Sequence, residues 1–130
     1  MSHLDRVDEA TFAAWNRLAV RLREDLDAAG FASLDHDSAT GVNVEVDPGN
    51  DPGGGVFVSW VVGPALLEQI RQPVLSGDLQ SPAIRHHRVI NEAMEQALRV
   101  ILLSAGHRVE PANDEYRPLT LRVITDHEQL

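Results

Sequence analysis

The chain has 130 residues, with eleven arginines, twenty acids and neither lysine nor cysteine, giving a formal net charge of −9. Without lysine there is no Schiff-base amine and no Walker-type phosphate lysine; without cysteine there is no thiolate nucleophile, disulfide, Cys-ligated zinc or iron–sulfur cluster. The acidic balance argues against nucleic acid and against an anionic membrane surface, and it favours solubility and a basic partner.

Residues 8–29 read as a helix, because Phe12, Trp15, Leu18, Ala19, Leu22 and Leu26 recur at a spacing of three and four and form one stripe. Asp8 or Thr11 suits its start and Gly30 its end. Arg21 with Asp25 and Arg23 with Asp27 are predicted i,i+4 pairs on the wet side. A short strand is expected over 31–36, then a turn over 37–41. Val42, Val44 and Val46 alternate with Asn43, Glu45 and Asp47, the pattern of a strand with one wet face.

A loop follows over 48–55. Residues 56–62 read as a second strand with Val56, Val58, Trp60 and Val62 on one face and Phe57, Ser59 and Val61 on the other. Both faces are apolar enough to predict cover on each side, from another layer or a second subunit. Gly63-Pro64 opens a short helix with Leu66, Leu67 and Ile70 on its edge, and Pro73 is expected to stop it. Residues 74–80 read as a connector. Ser81-Pro82 then starts a helix that Gly106 ends, so it spans 82–105. Its second half, Val100 to Leu103, is apolar nearly all round and is expected to be buried on several sides. Residues 109–111 read as a short edge strand, 113–117 as a turn, 119–123 as a last strand and 126–130 as a polar tail.

This order predicts an α+β two-layer sandwich. An antiparallel sheet of roughly four or five strands packs against the long N-terminal helix and the long helix 82–105, in one domain over 1–130. The core is aliphatic, because the aromatic set is only Phe12, Phe31, Phe57, Trp15, Trp60 and Tyr116. At the level of topology alone, the order resembles small acidic dimeric chaperone-like α+β domains; no residue is carried across. Arginine in place of lysine fits a GC-rich, bacterial genome. No apolar run reaches the ~20 residues of a membrane span and the N-terminus lacks a signal-peptide pattern, so a cytoplasmic protein is expected.

Three constellations are chemically suggestive. Asp47, Asn50 and Asp51 lie in a loop with two Asp-Pro-Gly runs and could offer oxygens to calcium, but turn chemistry alone accounts for these residue types and predicts a solvent-exposed hairpin tip. His87, Asn91 and Glu95 lie along one helix face beside His86 and are the best metal candidates. Arg88–Glu92 and Glu95–Arg99 pairs on a solvated face explain the same residues. Asp35-His36-Asp37 could orient a general base, yet no nucleophile-elbow motif surrounds Ser59 or Ser104. No cofactor is expected.

Phe57 and Trp60 are the expected interface residues. The reading that follows is a small non-enzymatic protein-interaction module of chaperone, adaptor or immunity type, homodimeric. The alternatives are a small-molecule binder with an apolar pocket between sheet and helices, and a metal-dependent hydrolase using histidine and carboxylate side chains.

Overall fold

The computed structural model describes residues 6–31, 40–50, 53–112 and 117–125. The element order is α1 (Glu9–Ala28), β1 (Gly41–Asp47), β2 (Gly55–Val61), α2 (Pro64–Ser76), α3 (Pro82–Ser104), β3 (Val109–Pro111) and β4 (Leu121–Val123). The strands form one antiparallel sheet in the order β1-β2-β4-β3. This is the expected α+β sandwich. The expected strand beyond Phe31, together with Asp35, His36, Asp37, Asp51 and the tail, falls outside the described residues.

Register explains the layers. Val46, Val56, Val123 and Val109 stand side by side across all four strands, and Val44, Val58 and Leu121 form a second row. Side chains alternate along a strand, so both rows share one face. Onto that face α1 lays Trp15, Ala19, Leu22 and Leu26, and α3 lays Leu98 and Leu102. Trp60 is half-buried beside this core and meets Phe31 edge to face, with ring centroids 6.0 Å apart.

The helix signals act largely as expected. Asp8 caps α1 by accepting from the Thr11 amide at 2.7 Å. Ser81 caps α3 by accepting from the Ala83 amide at 3.2 Å. Three expectations need correction. Pro73 does not stop α2, which continues to Ser76. Proline disrupts only the turn before it, so one more turn forms after Pro73 and ends at Gly77, whose left-handed φ of 77° lets its amide reach the carbonyls of Pro73 and Val74. The apolar second half of α3 is not buried all round, because Val100 is 59% and Leu103 48% exposed. Only Leu98 and Leu102 of this helix are fully buried, since the sheet and α1 cover one side of it.

The third correction concerns the ion pairs. Among the described residues none of the expected i,i+4 pairs forms. Asp25 instead meets His107 Nε2 at 2.7 Å, and Arg23 donates to the Val44 carbonyl at 2.9 Å. These tertiary partners fix α1 against the sheet and the α3–β3 junction, which a solvent-screened pair along the helix could not do. Among the described residues no helix is long and apolar enough to cross a membrane.

Leu22 and Leu102 are fully buried. Leu22→Ala or Leu102→Ala should each lower unfolding free energy by about 2–5 kcal/mol, whereas Val20→Ala on the exposed side of α1 should change it by less than about 0.5 kcal/mol. Urea denaturation checks both.

Candidate functional site

The face of the sheet away from the helices carries the densest polar cluster. The register sets Glu45, Phe57, Arg122 and Glu110 in one row across β1, β2, β4 and β3. Arg117, from the turn before β4, lies over this row. Its guanidinium carbon is 4.0 Å from the Phe57 ring centroid. Nη1 donates to Glu45 Oε1 at 3.0 Å, and Nη2 donates to Glu45 Oε2 at 3.2 Å and to Asp47 Oδ2 at 2.9 Å. Arg122 reaches Glu110 at 3.6 Å on the same face.

The hydrogen bond to Glu45 is the leading cause that holds the Arg117 guanidinium above its ordinary pKa; partial burial opposes it and the charges of Glu45 and Asp47 add to it. Phe57 is left only 2% exposed. The expected cover over Phe57, on the second face of β2, is therefore supplied within the chain by arginine stacking, whereas Ser59 and Val61 on the same face stay half-buried. A planar guanidinium can stack on a ring and fork to carboxylates at once, which an ammonium cannot. The turn that delivers Arg117 is strained: Leu119 has φ 55°, the left-handed region that a Cβ disfavours.

The loop between β1 and β2 is stitched down. Asp47 accepts from the Gly49 amide at 3.0 Å, and the Val7 amide donates to the Pro48 carbonyl at 2.9 Å. Arg6 pairs with Gly49 in an isolated antiparallel bridge. Gly54 lies so close to the Gly49 carbonyl that a Cβ there would collide with it. The β1 side of the loop, residues 47–49, is thus held to the segment before α1, and residues 51–52 at the tip lie outside the described residues. Asp47 spends its oxygens on Arg117 and Gly49, Asn50 is exposed, and Asp51 lies outside the described residues.

On α3, Asn91 Nδ2 donates to the His87 carbonyl at 3.0 Å and lies 3.2 Å from the His87 ring. Glu95 stands one turn further along, half-buried, and His86 is exposed. Among the described residues no group of three histidine, aspartate or glutamate side chains is placed to hold a metal ion. Ser59 is a strand residue opposite Asn43, and Ser104 ends α3.

Two further features escaped the sequence reading. The helical pair α2–α3 leaves aliphatic side chains in solvent: Leu67, Val74, Leu75, Leu79 and Val89 are all exposed, Leu75 to 72%. A cavity of about 590 Å³ opens between α1 and the β3–β4 end of the sheet, lined in part by Trp15, Leu18, Arg21, His107, Arg108 and Val123. Alternating apolar residues could hint at the first. Nothing in the sequence signals the second, because it joins residues from distant segments.

Arg117→Ala should expose Phe57 and leave Glu45 and Asp47 facing each other uncompensated, lowering stability by about 1–3 kcal/mol; Arg117→Lys should recover less than half of that. Leu119→Gly, relieving the left-handed penalty, should raise stability by about 1 kcal/mol. Chemical denaturation of the three variants is the check.

Compared with known families, proteins and solved structures, the chain matches none.

Proposed function

We propose that this chain is a small non-enzymatic protein-interaction module that pairs with a second copy of itself through its helical layer. The observation that carries the reading is α2, a 13-residue helix with no buried residue. Helices of roughly this length are marginal in water unless an apolar face is covered. Within the chain α2 leans on α3, with Leu66, Ile70 and Pro73 half-buried. Its other aliphatic side chains face solvent.

The exposed stripe of α3 supports a second copy as the cover. Val89, Ala93, Gln96, Val100 and Leu103 recur at alternating spacings of four and three, the seam of a helix that pairs with another helix. Glu92 and Arg99 flank that seam seven residues apart. Among the described residues neither makes an ion pair within the chain. In an antiparallel two-fold pairing centred near Gln96, Glu92 of each copy falls beside Arg99 of the other. A parallel pairing offers neither charge a partner. The pattern is self-complementary, as a two-fold interface requires.

Phe57, closed under Arg117, is a poor probe of assembly, because a charge there disturbs the fold first. Glu92 and Arg99 are exposed. Sedimentation equilibrium is expected to give a wild-type dimer. Glu92→Arg should weaken it about tenfold by turning two attractions into repulsions, and Glu92→Arg with Arg99→Glu should restore it. Leu75→Asp reports whether α2 joins the contact. A wild-type chain that stays monomeric at millimolar concentration, or a double swap that dissociates as the single variant does, overturns the reading.

A further inference from the structure

The cavity between α1 and the β3–β4 end lies apart from the helical layer just described, since no residue of α2 or α3 lines it. Its volume, about 590 Å³, is within the range of small-ligand pockets. Its wall is apolar on one side, from Trp15, Leu18 and Val123. On the other side stand Arg21, Arg108 and His107. No carboxylate lines it among the described residues, in a chain whose acids outnumber its arginines by nearly two to one.

The charge of this wall has a structural origin. Arg21 and Asp25 are one helical turn apart, and the sequence alone would pair them. In the structure Asp25 turns to His107, at 2.7 Å. That contact places the acid on the imidazole and leaves Arg21 without an ion pair among the described residues. Arg108, the next residue after His107, makes no ion pair there either. Two guanidinium groups thus flank an aliphatic and aromatic wall, and among the described residues neither is paired with a carboxylate. Guanidinium recognises carboxylate through two parallel hydrogen bonds, and the apolar wall selects for a hydrocarbon tail.

We propose that this cavity is a binding site for a monocarboxylate with an aliphatic tail, its carboxylate held by Arg21 and Arg108 and its tail laid against Trp15, Leu18 and Val123. The Asp25–His107 contact is a positioning element, because it keeps the acid off Arg21.

The test uses octanoate as the probe and Trp15 as the reporter. The chain has two tryptophans, so Trp60→Phe leaves Trp15 as the one indole. Octanoate is expected to change its emission saturably, with a Kd below about 1 mM. Arg21→Ala with Arg108→Ala, both at exposed positions, should weaken binding about tenfold, as should replacing octanoate by octanol. Acetate, lacking the tail, should fail to saturate at the same concentrations.

Ala14→Phe, at an exposed position on the cavity wall, should abolish binding while the circular dichroism stays that of the parent. The proposal is overturned by any of three results: no saturable change up to about 10 mM octanoate, octanol binding as tightly as octanoate, or binding that survives Ala14→Phe. The last two identify adsorption to exposed apolar surface.

Discussion

Everything in this structure depends on one alignment, the row of valines that crosses the sheet at Val46, Val56, Val123 and Val109. Strand side chains alternate with a period of two, so a slip of one residue in any pairing would send that strand's valines to the opposite face. The row holds the register because two helices bury it. α1 and α3 bring leucine, alanine, tryptophan and, at Ile101, isoleucine to that surface, and none of the buried core residues there is charged. The adjacent row, Glu45, Phe57, Arg122 and Glu110, is displaced to the other face by the same alternation.

That second face shows how a two-layer protein can finish a sheet without a third layer. A lone phenylalanine among charged neighbours would ordinarily be a liability, exposed and open to association. Here Arg117 lies flat on the ring and ties itself to β1 through Glu45 and Asp47. The arrangement needs arginine in particular, and a chain whose only basic side chain is arginine meets that need wherever it arises. The helical side is finished less completely. α3 leaves the core halfway along its length, and α2 follows it outward, so the surface with most unburied aliphatic residues is helical, not sheet.

Much of the fold was legible in the sequence because local signals agreed with one another. The stripe from Phe12 to Leu26, the Ser81-Pro82 start and the alternation through Val42, Val44 and Val46 each point to one period, and each element formed where its period placed it. The failures share a cause. Pro73, the Arg21–Asp25 pair and the outer side of Val100 and Leu103 were read from neighbours in sequence, whereas their outcome was decided by partners far along the chain or by the geometry of a cap. Asp25 lies 82 residues from His107. The same distance hid the Arg117 cluster, which gathers β1, β2 and the turn before β4, and the cavity, which gathers α1 with the far end of the sheet. Helix and strand are local statements; sites are not.

The pairing between β2 and β4 is short, only Val56–Val123, Phe57–Arg122 and Val58–Leu121, whereas β1 and β2 share seven registered pairs. The sheet is therefore a long hairpin and a short one joined along a narrow seam, with both α2 and α3 inserted in the chain between the two sides. Closing that seam demands the greatest loop-closure entropy of any pairing in the sheet, and entropy of that kind is lost before the contact returns anything. The β1–β2 hairpin and the α2–α3 pair can each assemble from near neighbours. The seam must wait for them, and once closed it is sealed on the helical side, where Val56, Val58, Leu121 and Val123 are all buried.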